Sequence, residues 1–512
     1  MLIDIEKLRT TARTIVAIPE HYRLEMEDNI PKGDEQERCF IWEDPGNKDN
    51  NIEVTLDLFT GYLTGLAIER EEMGEIHGDE VNQICLDDEA RAVADTFVVR
   101  HAPDSTEFTS VFIEKTRGSI TFKFRQEVGE LPLPGTGCDL TLDAGLNVVR
   151  YRLDGRWDYP EWPAAIVDEE TVKQYIGSNL RMALTIVSLH PSMYEMNRNE
   201  QEYRLVYMPT PEHQLIDAVT GLDLFGPEHY VMPPSGPLPP LKTVSNLAKD
   251  EKGSWEHWLD INLEHYVLEK SSDDGERIKY WYQLNEQEEG KEKPETNALS
   301  LDAYMKRKWG NWLGNIRDFS IIVQLEKTTG RLVGFHRMNC GKEGAPKLNR
   351  EQCWNKAEQF LNNAFPDYAD YLQLENDQEE SDGEPREREF FYLPVYMDGI
   401  PVNLERIMIS VCTSTGGVCG YMGVSYEMIR ELTGRRFQSV LTSEAALNRY
   451  VEQMKFRLHW YKDHNYDQDQ EMPVFRLLYE PTTMISQKQG NERKLRYIDA
   501  ITGEFIWGRH KW

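Results

Sequence analysis

The sequence predicts an α+β protein made of tandem units, each a helix packed on a small antiparallel sheet, arranged as two homologous halves of three units. One observation is a repeated turn, since Asp217-Ala-Val-Thr-Gly221 returns as Asp499-Ala-Ile-Thr-Gly503. A second is the alternation of apolar and polar residues around the copies of this turn, which is typical of antiparallel hairpins. The third is a stretch of helical periodicity ahead of each group of strands.

Length and charge restrict the class of protein. A chain of 512 residues is too long for one hydrophobic core. Its 57 basic and 88 acidic residues give a formal charge of −31. Nucleic acids and anionic membranes bind clustered Lys and Arg, so we expect neither as a partner. No stretch approaches the roughly 20 apolar residues of a membrane span, so we expect no membrane insertion. Such acidity suits a basic protein partner.

The N-terminus and the cysteines predict a cytoplasmic location. Apolar residues such as Ile5 and Leu8 are interleaved with charged ones in residues 1–20, which is the pattern of an amphipathic helix instead of a secretory signal. The seven cysteines are odd in number and dispersed, which fits a reducing compartment better than a disulfide framework.

The first half comprises units at about residues 1–75, 80–160 and 165–232. Each is predicted to place a helix before its strands and a turn before its last strand. The predicted helices cover residues 5–18, about 88–101 and 168–180. The predicted strands cover residues 39–42, 52–56, 62–68, 111–113, 120–124, 140–142, 149–153, 203–208 and 215–216.

A Pro-rich linker is predicted at residues 233–242, because proline at that density cannot pair inside a sheet and favours an extended spacer. An SH3-type ligand is the alternative function for this segment.

The second half comprises units at about residues 243–342, 345–430 and 440–512. Its predicted helices begin at Ser254, at Asn349 and at Ser443. The second is predicted from a capping box of Asn349 with Gln352 and from Pro366, which stops it after Phe365. The third is predicted to continue through Leu458. The predicted strands cover residues 278–282, 321–325, 332–335, 390–396, 407–411, 474–479 and 495–498. Residues 285–295 form a polar insertion and residues 375–389 an acidic, solvated loop.

Matching offsets between the two halves indicate a duplication. Gly330 follows Gly61 by 269 positions, Gly416 follows Gly145 by 271, and Gly503 follows Gly221 by 282. The block Tyr203-Arg-Leu-Val-Tyr-Met-Pro209 also aligns with Phe475-Arg-Leu-Leu-Tyr-Glu-Pro481.

The six turns are predicted to be structural. The Asp carboxylate can accept backbone N–H bonds, and the Gly can supply the positive φ that a short loop requires. A calcium site is the alternative, but calcium takes roughly 6–8 oxygens and each loop offers one carboxylate. In two copies Glu326 and Cys412 replace the Asp. The predicted turn residues are Asp57, Gly61, Asp143, Gly145, Asp217, Gly221, Glu326, Gly330, Cys412, Gly416, Asp499 and Gly503.

This plan resembles the PepSY superfamily, and more closely the YcdB/YcdC-type repeat proteins of Gram-positive spore-formers. The residues that carry the resemblance are the six turns, the blocks at Tyr203 and Phe475, and Tyr396-Met-Asp-Gly-Ile-Pro-Val402. The resemblance spans essentially the whole chain. It implies tandem helix-on-sheet units and a relation to the propeptides of thermolysin-like peptidases, which act as inhibitors and folding assistants. It brings no catalytic residue, metal or cofactor.

Sequence templates for catalysis are missing: the chain has no His-Glu-x-x-His, Gly-x-Ser-x-Gly, Walker or dinucleotide motif. Cys412 and Cys419 could form a redox pair across a hairpin, although ordinary packing is the simpler interpretation. The Trp residues near 157–162 and 255–312 fill core or form an interface. We therefore expect a non-enzymatic protein-binding protein that modulates or inhibits a peptidase or cell-wall hydrolase. The alternative is a hydrolase with its site in the cleft between halves.

Overall fold

The computed structural model describes fifteen stretches of the chain. They are residues 4–32, 35–70, 86–116, 118–212, 214–226, 233–239, 256, 259, 261–284, 298–309, 320–338, 345–376, 386–463, 474–486 and 492–509. The helix predicted at Ser254 and the insertion at 285–295 lie largely or wholly outside these stretches, as do residues 377–385 of the predicted acidic loop.

Seven α-helices lie within the described residues. They are α1 (Ile5–Ile15), α2 (Leu86–His101), α3 (Glu169–Asn179), α4 (Leu301–Trp309), α5 (Arg350–Ala364), α6 (Tyr426–Thr433) and α7 (Ser443–Glu452). Helix α5 begins with the predicted capping box: the Asn349 side chain accepts from Gln352 N, and the Gln352 side chain accepts from Asn349 N. It ends at the predicted place, with Phe365 as its C-cap. None of the described helices is both long and apolar enough to cross a bilayer.

The first repeated region forms an eight-stranded antiparallel sheet with the order β1-β2-β3-β4-β10-β9-β6-β5. Its strands, with the short β7–β8 hairpin beside it, are β1 (Arg23–Lys32), β2 (Glu35–Asp44), β3 (Asn47–Asp57), β4 (Leu63–Glu69), β5 (Ser110–Thr116), β6 (Ser119–Arg125), β7 (Glu127–Val128), β8 (Leu131–Pro132), β9 (Gly137–Asp143) and β10 (Val148–Gly155). Helices α1 and α2 cover one face and bury Leu8, Ala12, Ala90 and Ala94 against it. Units one and two thus share one sheet and one core.

The remaining strands are β11 (Arg181–Leu189), β12 (Glu202–Thr210), β13 (Ile216–Asp217), β14 (Ser235–Pro237), β15 (Tyr266–Asp273), β16 (Arg277–Leu284), β17 (Ser320–Glu326), β18 (Leu332–Arg337), β19 (Gln373–Glu375), β20 (Arg388–Met397), β21 (Ile400–Cys412), β22 (Val418–Met422), β23 (Lys455–Asp463), β24 (Val474–Thr482), β25 (Met484–Ser486), β26 (Glu492–Asp499) and β27 (Phe505–Arg509). In the second repeated region β15-β16-β17-β18-β22-β21-β20 follows the same order as β1-β2-β3-β4-β10-β9-β6. The predicted α+β fold with a duplicated plan is confirmed.

The third and sixth units exchange hairpins. Val206 of β12 pairs with Asp499 of β26, and Leu478 of β24 pairs with Asp217 of β13. The hydrogen bonds are reciprocal, because Ala218 N donates to Leu477 O at 2.8 Å and Ala500 N donates to Leu205 O at 2.9 Å.

Side chains repeat this reciprocity. The Tyr479 hydroxyl donates to Val167 O, and the matching Tyr207 hydroxyl donates to Leu441 O. Each unit is therefore completed by the last turn of the other. The predicted boundary between the halves at 233–242 stays a prediction, but backbone pairing crosses it.

Several elements differ from the sequence predictions. The last helix ends at Glu452 instead of Leu458, because residues 455–463 alternate with period 2 and form β23 against β24. The sequence prediction missed strands β1, β11, β15 and β23, the short strands β7, β8, β14, β19 and β25, and helices α4 and α6. Leu263 lies in a turn before β15 and not on a helix. The ends of the acidic loop belong to strands, with Glu375 in β19 and Glu389 in β20.

The Pro-rich segment is extended, as predicted, but it is also paired. Residues 235–237 form β14, which pairs with β19 in the register Ser235↔Glu375, Gly236↔Leu374 and Pro237↔Gln373. Because β14 is an edge strand of a two-stranded sheet, its single proline, Pro237, needs no ladder partner on the outer side.

Candidate functional site

Three of the predicted turns share one geometry. In each, the Asp Oδ1 accepts two backbone N–H bonds, from Phe59 and Thr60 to Asp57, from Val219 and Thr220 to Asp217, and from Ile501 and Thr502 to Asp499. Gly61, Gly221 and Gly503 then take φ of 71°, 72° and 74°. In each loop Oδ1 is occupied by the loop's own N–H groups, and the second oxygen of Asp499 lies 3.5 Å from the Arg204 guanidinium, which supports a structural role.

In the fourth turn Glu326 reaches further than an Asp could. Its Oε1 accepts from Ser425 Oγ at 2.8 Å and from Tyr426 N at 2.9 Å, so it binds both the N-cap residue of α6, which is Ser425, and the first N–H of that helix. Its Oε2 accepts from Thr329 Oγ1, inside the turn that Gly330 closes with φ 67°. The longer side chain therefore joins the turn to a helix of the next unit.

In the fifth turn the Cys412 thiol occupies the position that a carboxylate occupies in the other turns. Burial alone would raise the pKa of Cys412, but hydrogen bonds from Ser414 and Thr415 outweigh burial and lower it. Gly416 has φ 75°. Cys412 is a free thiol while Cys419 is disulfide-bonded. The proposed redox pair of Cys412 with Cys419 is therefore wrong.

The second turn is one residue shorter, and its left-handed residue is Leu146, with φ 59°, instead of the predicted Gly145. Asp143 Oδ1 accepts from Gly145 N and Asn147 N, so the aspartate accepts backbone N–H bonds of the loop, as predicted. Among the described residues, no group of three or more His, Cys, Asp or Glu side chains is arranged to hold a metal ion.

Of the tryptophans in the predicted clusters, Trp157 and Trp281 are half-buried and Trp162 is exposed. Trp281 is half-buried, with the Lys270 ammonium 5.5 Å from its ring centroid. Trp162 is 42% exposed and stands edge-on to the buried Trp460. Trp255, Trp258 and Trp312 lie outside the described residues.

The best candidate for a binding site lies on the other face of the first sheet. Alternation places Ile52, Val54 and Leu56 in the core and Glu53 on the opposite face. The strand pairing aligns Glu53 with one residue from each of four other strands. Together they form a row across the sheet: Met26, Ile41, Glu53, Ala67 and Arg150. A neighbouring row carries Glu43, Asn51 and Glu69.

Helix α4 from the second half covers this face. Leu299 O accepts from Glu27 N at 2.8 Å, and the Asp28 carboxylate accepts from Leu301 N, so the helix start is fixed to β1. The Tyr304 hydroxyl donates to Glu43 Oε1 at 2.6 Å, and the Lys308 ammonium lies 3.4 Å from the same oxygen.

A cavity of about 300 Å³ remains between α4 and the sheet. Its lining residues are Met26, Ile30, Cys39, Ile41, Asn51, Glu53, Ala67, Glu69, Leu301, Tyr304, Met305 and Lys308. The volume is at the lower end of the range typical of ligand pockets. The walls are largely apolar, and the carboxylates converge on one side.

Glu53 differs from the other acids of this face in its partners. Glu43 has Tyr304 and Lys308, and the carboxylate of Glu69 accepts from Asn51 Nδ2 at 3.0 Å. Within the described residues Glu53 forms no ion pair, and its hydrogen-bond contact is the Cys39 thiol at 3.7 Å. Burial raises the pKa of Glu53, and the charge of Glu69 raises it further, against the opposing effects of Cys39, Lys308 and Arg150.

The chemistry of the cavity favours binding over catalysis. Burial raises the pKa of Cys39 to about 12, so the thiol stays protonated and is a poor nucleophile. Burial and the Glu43 carboxylate also raise the pKa of Tyr304. Glu53 is left without an ion pair among the described residues, although the Lys308 ammonium lies on the same cavity wall, and in its ionised form such a carboxylate attracts a further cation.

Alternation in the sequence predicted that Glu53 faces away from the core. It did not predict the cavity, because α4 comes from about 250 residues further along the chain and its docking has no local signal.

The fold defines an α+β repeat protein in which the same seven-stranded order occurs twice, each time with a helix on the sheet. The family model "YcdB, YcdC repeated domain" matches residues 5–155 and 264–425, which are the two repeated regions and more than half of the chain. The chain belongs to the YcdB/YcdC repeated-domain family.

Comparison with individual proteins gives two further similarities. The uncharacterised protein YcdC of Bacillus subtilis strain 168 is 23% identical over 487 residues, which are 93% of this chain and 96% of that protein. The C-terminal domain of Bacillus megaterium YpeB aligns with 43% of this chain and 96% of its own, with 13% identity and a TM-score of 0.26.

Proposed function

We propose that this protein is a non-enzymatic, regulatory binding protein that holds a partner protein through the cavity under α4. The observation that carries the proposal is the Glu53 carboxylate, which is half-buried on the cavity wall with Met26 and Ile41 and has no ion-pair partner among the described residues. A basic side chain from a partner would supply the missing charge.

Geometry specifies the kind of side chain. A Lys or Arg has an apolar stem that fits the Met26, Ile30 and Ile41 walls and a charged end that can reach Glu53 and Glu69. Arg suits the site better, because its guanidinium presents several donors to neighbouring carboxylates. The net charge of −31 would also attract a basic partner over a longer range.

The resemblance to peptidase propeptides supports a peptidase or a cell-wall hydrolase as the partner and inhibition or folding assistance as the effect. The partner's identity and the cytoplasmic location stay predictions. The open edge strands offer further area for a protein, since β5 exposes Phe112 and Ile113 at 45% and 46%.

The test uses N-acetyl-arginine methylamide, with the citrulline analogue as its neutral isostere. We expect the arginine compound to bind the purified chain and the citrulline compound to bind at least about tenfold more weakly, because a charge-assisted bond is worth ~1.5–3 kcal/mol. Isothermal titration calorimetry measures both. The substitution Glu53→Gln should reduce arginine binding to the level of citrulline, whereas Glu114→Gln on the exposed β5 should leave it unchanged.

The pH dependence gives an independent check with a fixed sign. The pKa of Glu53 is raised in the free protein, and its protonated form has no charge for a cation to pair with. Affinity should therefore fall as the pH drops through that raised pKa, by up to about tenfold per pH unit, and Glu53→Gln should abolish the dependence. Equal binding of arginine and citrulline at every pH would exclude the cation site.

The protein-binding role is tested by affinity capture with the wild-type chain and the Glu53→Gln variant as paired baits. We expect a stoichiometric protein that the wild-type retains and the variant loses, and we expect the purified chain to change that protein's hydrolytic activity. Turnover of a peptide, ester or glycoside substrate by the purified chain itself would overturn the proposal.

A further inference from the structure

The two repeated regions differ at one edge of their sheets. In the first region β5 ends the sheet, and β6 is its one neighbour among the described strands. In the second region β19 lies at the matching place, since Leu372 just before it pairs with Val395 of β20. There the Pro-rich strand β14 pairs with the outer edge of β19. The outer edge is therefore filled in one region and open, within the described residues, in the other.

Position in the chain shows that β5 and β19 are equivalent. Each strand follows a short 3-10 helix, Ser105–Glu107 in the first region and Tyr368–Asp370 in the second. The second of these helices begins 263 positions after the first, and Gln373 at the start of β19 follows Ser110 at the start of β5 by the same 263 positions. The connection from 3-10 helix to strand therefore has one length in both regions.

Helices α2 and α5 also pack on their sheets alike. The ring centroids of Phe97 in α2 and Tyr151 in β10 are 5.3 Å apart. Those of Phe360 in α5 and Tyr421 in β22 are 5.1 Å apart. Since β10 and β22 hold the same place in the two strand orders, the strand that follows each helix reaches the same edge of its sheet. The occupant of one edge therefore indicates what the other edge can accept.

Backbone hydrogen bonds hold β14 in place. Residues 235–237 pair antiparallel with residues 373–375, and beyond them Asn376 N donates to Pro234 O at 2.8 Å. Ile113 is the equivalent of Asn376 in β5, because it precedes Asn376 by the same 263 positions. The alternation of an antiparallel ladder then directs the Ile113 N–H away from β6 and into the open edge.

The open edge of β5 lacks the features that protect edge strands, which are charged residues, proline and β-bulges. Residues 110–113, Ser-Val-Phe-Ile, contain no charge and no proline, and β5 pairs with β6 without a register shift. The side chains of Phe112 and Ile113 are 45% and 46% exposed and lie on opposite faces. An added strand would satisfy the outward backbone groups and cover both side chains.

The charge of the molecule favours another protein over a second copy as the occupant. Two copies that each carry a net charge of −31 repel each other, which opposes pairing of β5 with β5. A segment with basic residues at its ends is attracted instead. Apolar residues at the centre of that segment would lie beside Phe112 and Ile113.

We propose that the outer edge of β5 binds an extended segment of a partner protein, which pairs antiparallel with residues 110–113 as β14 pairs with β19. The segment is apolar at its centre and basic at its ends. This inference rests on the proposed protein-binding role and adds a second point of attachment to it. The edge is five strands away from β3, which carries Glu53, in the same sheet.

The experiment titrates the full chain with the strand-forming peptide Lys-Val-Thr-Val-Thr-Val-Lys, labelled with a fluorophore at its N-terminus and amidated at its C-terminus. The matched control is the same peptide with its five central amides N-methylated, which keeps the side chains and the charge but removes the backbone donors. Fluorescence anisotropy measures both dissociation constants. We expect saturable binding of the first peptide and at least about tenfold weaker binding of the second, because several backbone hydrogen bonds are lost.

Variants at Ile113 locate the binding. Ile113→Pro removes the outward N–H and leaves the pairing of β5 with β6, so the peptide should bind at least about fivefold more weakly. Ile113→Lys keeps the N–H but places on the edge a charge that repels the basic peptide, and it should have a similar effect. Ile113→Val is the matched control and should change the affinity by less than about twofold. Far-UV circular dichroism shows whether each variant is folded.

Two further measurements separate this edge from the α4 cavity. Amide hydrogen exchange in residues 110–116 should slow when the peptide binds, whereas exchange in residues 301–309 of α4 should stay the same. The binding of N-acetyl-arginine methylamide should be unchanged by Ile113→Pro. The strand site and the cation site can therefore fail independently.

Four results would overturn the proposal. Two concern the peptide: no saturable binding to the wild-type chain, or equal binding of the N-methylated form. The third is peptide binding that Ile113→Pro and Ile113→Lys leave unchanged, since the peptide would then bind elsewhere. The fourth is a dimer of the wild-type chain, detected by light scattering, that Ile113→Pro dissociates, because a second copy would then occupy the edge.

Discussion

At the scale of single residues, the first position of the repeated turn is occupied by Asp, Glu or Cys in different copies, and each side chain makes different contacts. Asp57, Asp217 and Asp499 satisfy the N–H groups of their own loops. Glu326 has one more methylene and reaches the first turn of α6, and Cys412 offers its sulfur to Ser414 and Thr415. The backbone geometry is common, because Gly330 and Gly416 keep the positive φ of the other copies. The side chain alone decides what else the turn contacts.

The substitution Glu326→Asp tests this. The shorter side chain can still serve its own loop, but it cannot reach Ser425 Oγ and Tyr426 N, so α6 keeps its Ser425 N-cap and loses the hydrogen bond to its first N–H. We expect the free energy of unfolding to fall by about 1–2 kcal/mol, the size expected when a buried hydrogen bond to a charged group is lost. Chemical denaturation measures it.

The matched control is Asp57→Glu, which makes the reverse exchange in an exposed turn that caps no helix. We expect that change to cost less than about 1 kcal/mol. If Glu326→Asp were as mild as this control, the contact with α6 would have no energetic importance.

At the scale of elements, α4 shows how a short helix of the second half creates a site on the first. The helix buries Tyr304 against Met26, Cys39 and Ile41. Sequence patterns gave no helix here, because only nine residues are involved and their apolar positions serve a sheet that is distant in the chain. At residues 453–458 the sequence predicted a helix that the structure does not contain. The cause is related, because pairing of β23 with β24 overrides the helical pattern that precedes it.

The substitution Tyr304→Phe tests the docking of α4. It removes the hydroxyl that donates to the buried Glu43 carboxylate, and the carboxylate then has Lys308 as its main partner. We expect a loss of about 1–3 kcal/mol in the free energy of unfolding and faster amide exchange in residues 301–309.

Amide hydrogen exchange measured by mass spectrometry reports on the helix directly. Tyr62→Phe, at a residue that is 50% exposed, serves as the control and should leave both quantities unchanged. Unaltered exchange at 301–309 in Tyr304→Phe would show that the helix is held by other contacts.

At the scale of the whole molecule, the exchange between the third and sixth units joins the two halves. Leu205, Ile216 and Leu478 are at most 2% exposed, and each lies in a strand that pairs across the predicted boundary. Since the two exchanged pairs are reciprocal, one half cannot complete its third unit without the other.

Fragments 1–235 and 242–512 test this. We expect that neither is monodisperse alone, because each exposes the edge of β12 or β24. Co-expressed, they should form a one-to-one complex, which size-exclusion chromatography with light scattering detects. The fragment 1–160 is the control, because its eight strands and its core are contiguous, and it should not retain 242–512 as strongly. The exchange would be contradicted if each half were monodisperse alone and the two halves formed no complex.

Much of the fold and part of the site could be predicted from sequence. The alternation at residues 52–56 gave both the strand and the side of the sheet on which Glu53 lies. The Asn349 capping box and Pro366 gave both ends of α5. These features could be predicted because their physical causes are local: rotation along a strand, and the unsatisfied N–H groups of a helix end. The cavity residues from α4, such as Tyr304 and Met305, had no such local signal.

The sequence by itself determined the repeat, the turns and the two faces of each hairpin, because a period-2 pattern and a glycine with positive φ follow from a few neighbouring residues. Tertiary structure alone decided that β12 pairs with β26 and β24 with β13. Matched sequences at Tyr203 and Phe475 are equally compatible with pairing inside each half, and backbone hydrogen bonds at a strand edge do not depend on side-chain identity. It also decided that α4 crosses to the first sheet and leaves Glu53 facing a cavity, since burial depends on contacts between distant parts of the chain.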